Sequence, residues 1–435
     1  MASENKSGTI TAAGAAIAAS AASIAHAQGT GVIKVGLLGC GGRGNGALAQ
    51  CLQADPGVVV IAVADLFENK VRSTRDRFVK DEKFKGRVQI DDDHMFWGFD
   101  CHEKLAKCEA DLLLMATAPA FRGPQMLAAV NAGKHIFTEK PVATDPAGCR
   151  QVMEASRIAN EKGLAIVAGT QRRHEFSRVE LMKRIHDGAI GELAGGQCYW
   201  YGGGIWYRGY SDGMSELEWQ CNNWYHFNWL SGDQICEQHI HNIDIINWCF
   251  DGPPAKFTAV GGRGWRDHNA QAKDVCAKLN NGSEEGWEKY AGDIWDHIFA
   301  ELEYPNGARC LSFSGHSPGT GRNGEKIVGT KGTSNCSSSI SGENSWRYEG
   351  PNVNGMLQEH VDLIKSIRAG EPLNEGQRIA ESTLTAIGAR MAAYTGRSFS
   401  WKWLLGASKL DIVPKELKPG PGVFHPVATG RDPLV

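Results

Sequence analysis

A glycine-rich loop constrains this chain more tightly than any other feature. Gly39-Cys40-Gly41-Gly42-Arg43-Gly44 directly follows an apolar run, residues 32–38, and precedes a helix-forming stretch, residues 45–54. In that setting Gly39 permits a tight turn. Gly41 lets the backbone approach a pyrophosphate, and Gly44 lets the helix pack on the sheet. The helix N-terminus then offers free N–H groups to the phosphates. A second apolar run, residues 58–64, ends on Asp65, 21 residues past Gly44. A carboxylate there can accept from the hydroxyls of an adenine ribose. It also repels a 2′-phosphate, and Leu66 and Phe67 follow it, so NAD is expected over NADP. Arg43 and Arg72 are the cations within reach of a 2′-phosphate.

The pattern beyond the loop repeats the same unit. Apolar strands are expected at 111–116, 134–138 and 165–168, separated by helices near 68–79, 123–132 and 146–162. Strand and helix in alternation imply a parallel sheet wrapped by helices. After Thr170 the pattern changes. A helix at 176–186 leads into long aromatic-rich strands at 196–201, 256–261, 294–304 and 308–314, followed by helices at 355–369 and 377–394. This half predicts an open, mainly antiparallel sheet. The expected fold is α/β: an N-terminal Rossmann domain over 29–168, then an α+β domain over 169–414 for substrate and oligomer contacts. An extended tail covers 415–435.

Residues 1–28 differ from the rest. An alanine-rich apolar stretch ends in Ala25-His26-Ala27, which fits a secretory cleavage site and predicts a periplasmic or secreted protein, or a cytoplasmic one if the segment is not a working signal. It is too short and too weakly apolar for a membrane span. The net charge of −3, without a long basic run, argues against nucleic acid as a partner. Twelve cysteines include no Cys-x-x-Cys pair, which argues against a zinc ribbon. Disulfides become possible on export, but Cys40 and Cys249 read as small buried hydrophobes.

Two further segments carry chemistry. Glu139-Lys140-Pro141 closes the 134–138 strand, where a lysine can project into a cofactor cleft. The cleft is expected to include Thr117, Pro119 and Glu139 besides Lys140 and the glycine loop. Farther on, Glu237, His241 and Asp244 fall at i, i+4 and i+7, sharing one face if the segment is a single helix. His239 lies about 200° around that helix from His241, so the two do not easily share a metal, and no metal site is expected. Hydride transfer from an alcohol needs a base for the hydroxyl proton and a charge to steady the alkoxide. His241 suits the first role and Lys140 the second, and Lys140 can also relay the proton; Glu237 and Asp244 orient the histidine or bind substrate hydroxyls. Arg172 and Arg173, and the aromatic stretch holding Trp200, Tyr201, Trp206, Tyr207, Arg208, Trp224 and His226, are the candidate substrate residues.

These residues together give a chain that resembles the Gfo/Idh/MocA oxidoreductase family over about residues 32–404. The resemblance implies a Rossmann domain joined to a domain whose open sheet forms a homo-oligomer interface, with sugars, cyclitols or their derivatives as substrates. It implies catalysis by Lys140, His241 and Asp244. Glu237 stands where the family usually has aspartate, and His239 where many members have glycine. The family also contains glycosidases that hold NAD tightly, oxidise a sugar transiently, cleave the glycosidic bond and return the hydride. That chemistry is the alternative to simple dehydrogenation, and a non-catalytic sugar or nucleotide sensor is the second alternative.

Overall fold

The computed structural model describes residues 31–435 except 267, 317, 318 and 320. The signal-like segment therefore lies outside the described residues. Six strands form the first sheet: β1 (Ile33–Leu38), β2 (Val58–Asp65), β3 (Met95–Trp97), β4 (Leu112–Met115), β5 (His135–Thr138) and β6 (Ile166–Ala168). They are parallel and ordered β3-β2-β1-β4-β5-β6. The order reverses direction between β1 and β4, and in open α/β sheets ligands bind beyond the strand ends at that point. Strand side chains alternate between two cores. Val35, Leu37, Leu112 and Leu114 face one way, against the helix Gly42–Ala54. Leu38, Leu113 and Met115 face the other, against the helices Arg122–Asn131 and Pro146–Lys162. Both faces are covered, which is why these strands read as unbroken apolar runs.

Chain order and packing part company in this layer. The helix Gly355–Ala369, expected to belong to the second half, inserts Leu363, Ile364 and Ile367 into the first core. Arg368 fastens it to Asp55 at 2.8 Å. The helix Gly376–Thr395 is apolar or small on nearly every side because it lies between the two halves. It packs on Pro146–Lys162 and on the second sheet.

The second sheet has nine strands: β7 (Leu193–Gly202), β8 (Lys256–Gly262), β9 (His297–Glu303), β10 (Arg309–His316), β11 (Arg322–Gly329), β12 (Gly332–Ser334), β13 (Ser339–Gly342), β14 (Trp346–Arg347) and β15 (Phe399–Ser400). Their order is β14-β13-β12-β11-β7-β10-β9-β8-β15, antiparallel except for β7 with β10. Helices Ile240–Cys249 and Gly376–Thr395 cover one face. On the other face Tyr199, Phe313, Phe299 and Val260 stand in register across β7, β10, β9 and β8, and Val260 is 67% exposed. The expected strands at 294–304 and 308–314 are β9 and β10. β3, β11 to β15 and the helix Asn269–Leu279 went unpredicted.

Candidate functional site

The glycine loop has the geometry its spacing predicts. Gly39 has φ +100°, and a Cβ there would lie 2.6 Å from the Ala116 backbone. A Cβ on Gly44 would sit 1.8 Å from the Gly39 carbonyl. Turn and helix are thus fused against β4, and only glycine fits. At Gly41 and Gly42 a Cβ would meet nothing within 4 Å, so the backbone borders open space. Gly41 begins the helix Gly42–Ala54 without a side-chain cap, leaving N–H groups facing that space. Asp65 ends β2 beside the loop and accepts from the amides of Cys40 at 2.7 Å and Phe67 at 3.0 Å. The cradle and its acidic rim suit a dinucleotide.

Thr117 and Pro119 follow β4 at the same sheet end. Thr117 donates to Gln125 at 2.6 Å, and its carbonyl accepts from Arg122 at 2.6 Å. Arg43 pairs with Glu139, with Glu359 3.6 Å away. Arg72 pairs with Glu68 at 2.7 Å. Two other cations approach Asp65. Lys70 donates to Asn222 at 3.1 Å, and Arg208 donates to the same amide at 3.1 Å and to its backbone carbonyl at 3.0 Å. Asp65 acts electrostatically on both. The loop of the second half is thereby tied across the acidic end of the cleft. Lys70 gave no sequence signal beyond its place three residues into a helix.

Lys140, at the end of β5, reaches across to the second half. Its ammonium donates to the Glu237 carbonyl at 2.6 Å and to Glu237 Oε1 at 2.9 Å. Both side chains are about nine-tenths buried. The other carboxylate oxygen, Oε2, and Nδ1 of His241 are buried with no partner among the described residues. Trp200 stacks on His241 with ring centroids 6.1 Å apart. Burial, then the charges of Lys140 and Arg172, hold His241 well below the usual imidazole range. The ring is therefore neutral at pH 7 and able to accept a proton.

Other expectations need correction. Residues 237–244 are not one helix. A short helix, Gln234–Glu237, stops, and a new one, Ile240–Cys249, begins after His239. Asp244 does not open on the cleft. Arg173 holds it at 2.8 and 3.1 Å, Arg378 at 3.0 Å and Ser382 at 2.7 Å. That network also occupies Arg173, while Arg172 pairs with Glu325, so neither arginine is free for substrate. Tyr201 points to the open sheet face beside Tyr199, because residues one apart in a strand face opposite ways; Trp200 alone of the two faces His241. His226 is fully buried, with Nε2 2.7 Å from the Trp206 carbonyl. Tyr207 donates to the Tyr290 carbonyl at 2.8 Å. Trp206 and Trp224 pack edge to face, 6.0 Å apart. Tyr207 and Trp224 pack into a core with Ala118, Phe121 and Leu66 of the first half, while Trp206 stays exposed.

All twelve cysteines are unpaired, and all but Cys108 are buried, as expected for Cys40 and Cys249.

Comparison with known proteins agrees with this architecture. Residues 33–169 match a family described as "Oxidoreductase family, NAD-binding Rossmann fold", and residues 179–335 match the GFO/IDH/MocA C-terminal domain. Inositol 2-dehydrogenase of Klebsiella pneumoniae (strain 342) is 25% identical over 216 residues, 50% of this chain and 54% of the relative. The chain spans about half the length of the curated relatives it matches. The aldose-aldose oxidoreductase of Caulobacter crescentus, solved with glycerol, superposes with a TM-score of 0.62 at 17% identity, over 85% of this chain and 99% of its own. The WlbA dehydrogenase of Bordetella pertussis, solved with NADH and UDP-GlcNAcA, gives 0.61 at 18% identity, over 85% and 98%. At such identities the likeness is one of fold.

Proposed function

The chain belongs to the Gfo/Idh/MocA oxidoreductase family, and from that premise we propose that it oxidises a hydroxyl of a sugar, polyol or sugar derivative with NAD. The observation that carries this reading is the Lys140–Glu237 contact beside His241, where the parallel sheet meets the second half. A nicotinamide held by Gly39 to Gly44 and Asp65 would supply the hydride acceptor. A ring nitrogen of neutral His241 takes the hydroxyl proton, and Lys140 steadies the charge developing on the oxygen. Glu237 orients Lys140. Asp244, fixed by two arginines, positions the helix that carries His241. Trp200 sets the tilt of the imidazole. Residues 1–28 belong to this reading as an export signal, tested by the N-terminal sequence of the mature protein. The open face around Val260 is read as the contact between copies of the chain.

A second reading is favoured by one observation. The Lys70–Asn222–Arg208 tie crosses the Asp65 end of the cleft, which suits a cofactor kept through many turnovers, as in redox-neutral glycoside cleavage. One experiment separates the readings. The purified protein is denatured, and released NAD and NADP are assayed. The native protein is then given myo-inositol, D-glucose and aryl glycosides while absorbance at the NADH band is followed. Net NADH formation supports the dehydrogenase. Stoichiometric bound NAD with glycoside cleavage and no net NADH supports the second reading. Nucleotide binding without turnover leaves the sensor.

A further inference from the structure

A basic cluster lies beside Glu237 that the proton chemistry does not use. β8 and β10 end at the same edge of the second sheet, with His316 closing β10 and Arg263 and Arg266 following β8. The Tyr225 hydroxyl lies 3.2 Å from His316 Nε2, and the Glu237 carboxylate acts electrostatically on the same phenol. The cluster therefore adjoins the partner of Lys140.

Its charges are not equally compensated. Arg263 donates to the Gly292 and Ala291 carbonyls. Asp296 accepts from the amides of Gly264 and Trp265 and contacts His297 at 2.6 Å. Asp233 accepts from the Trp295 amide at 3.0 Å and from the Tyr394 hydroxyl. Arg266 differs. One of its nitrogens faces Nδ1 of His226. Its Nε is buried without a partner, and among the described residues no carboxylate pairs with it. Beside it, His316 is 8% exposed, and its Nδ1 also lacks a partner among the described residues. Burial and the Arg266 charge push His316 down to about 4, so the ring is neutral and can offer an N–H to an anion beside the Arg266 charge. Asp233 and Asp296 act on Arg266 only at a distance, and a buried guanidinium with an unmade donor is costly. An oxyanion would offset that cost, because a guanidinium offers a planar fork to carboxylate or phosphate.

We propose that Arg266 and His316 form an anion subsite, so that the substrate oxidised at Lys140 is an acid sugar, carrying a carboxylate or a phosphate. This rests on the hydride-transfer reading, yet the two fail separately. Protein loaded with NAD is titrated calorimetrically with D-glucuronate and D-glucose, D-galacturonate and D-galactose, and D-glucose 6-phosphate. In at least one comparison the acid is expected to bind 10-fold or more tightly than the neutral sugar. Carboxylate and phosphate are distinguished by which acid wins. Arg266→Gln should bring that ratio near one while the neutral sugar stays within about 3-fold, and Arg266→Lys should keep part of the preference. The proposal is overturned if no acid is preferred, or if Arg266→Gln weakens acid and neutral sugar alike. Acid preference without any cofactor reduction would instead sink the hydride reading and leave the subsite standing. Equal reduction by acid and neutral sugars would do the reverse.

Discussion

Replacing Asp244 by asparagine separates a structural carboxylate from a catalytic one. Asp244 joins three segments: Arg173 after β6, Arg378 and Ser382 on the Gly376–Thr395 helix, and its own helix one turn past His241. With an effective dielectric near 20, unit charges 2.8 Å apart attract by roughly 6 kcal/mol. Desolvation offsets most of that, and removing one side of a buried pair costs about 3–5 kcal/mol. At about 2 °C per kcal/mol for a large domain, Asp244→Asn should lower the melting midpoint by ~6–10 °C at pH 7. The arginines hold the carboxyl well below its usual range, though burial opposes them. A depressed folded-state value gives stability that is complete above the unfolded value of about 4 and is lost as pH falls through the folded one. The gap between wild type and variant should therefore narrow below pH 4. Scanning calorimetry at fixed concentration measures the midpoints, and turnover is read well below both. Turnover within about 10-fold of wild type fits a positioning role. An unchanged midpoint with a loss above 100-fold would refute it and put Asp244 in the chemistry.

Four other outcomes are expected. Lys140→Met should lower kcat/KM for hydride transfer by about 10²- to 10⁴-fold, with bound NAD retained, and full turnover would defeat the assignment. Glu237→Ala leaves Lys140 its carbonyl contact, so steady-state kinetics should give a smaller loss than Lys140→Met; an equal loss would argue for direct chemistry by the carboxylate. His360→Phe should stabilise the fold in urea titrations, because both ring nitrogens are buried against Phe137 without partners among the described residues. Burial pushes His360 down to about 3, so wild type gains stability with pH up to about 6.5 and loses roughly 2 kcal/mol from this group at pH 5 relative to pH 7. Parallel pH dependences for the two proteins would contradict this. Val260→Glu should lower the sedimentation mass toward one chain, and an unchanged mass would exclude that sheet face as the contact.

How much was legible depended on the range of the interaction that decides each feature. The first sheet and its loop are set by local rules: apolar runs of strand length, glycines where a Cβ would strike backbone, and an acid at a strand end. The same holds for Lys140, whose place at the end of β5 fixes its direction. Tyr201 shows where composition misleads, since crowding of aromatics marked the segment and the two-residue strand period decided which face each ring took. Arg172, Arg173 and Asp244 show a different limit. Charges far apart in sequence, at 173, 244 and 378, satisfy one another, and nothing local distinguishes such a network from a substrate site. Lys70 and Arg266 were missed for the converse reason. Each became notable only through what the fold places beside it.

The break between Glu237 and His241 shows how the second half builds what the first half uses. In an unbroken helix the Glu237 carbonyl would accept from the His241 amide. Here that amide turns to Gln238 at 3.4 Å, and the freed carbonyl takes the Lys140 ammonium instead. The break coincides with His239, whose Nε2 lies 2.8 Å from the Ser312 hydroxyl on β10 and 3.5 Å from the Cys198 sulfur on β7. A side chain anchored to the sheet at that point competes with continuation of the helix. Glu237 consequently meets Lys140 with both main chain and side chain, and a longer acid than aspartate can do so without the helix running on. His239 thus acts on Lys140 through the course of the backbone, from the covered face of a sheet that the parallel domain does not share.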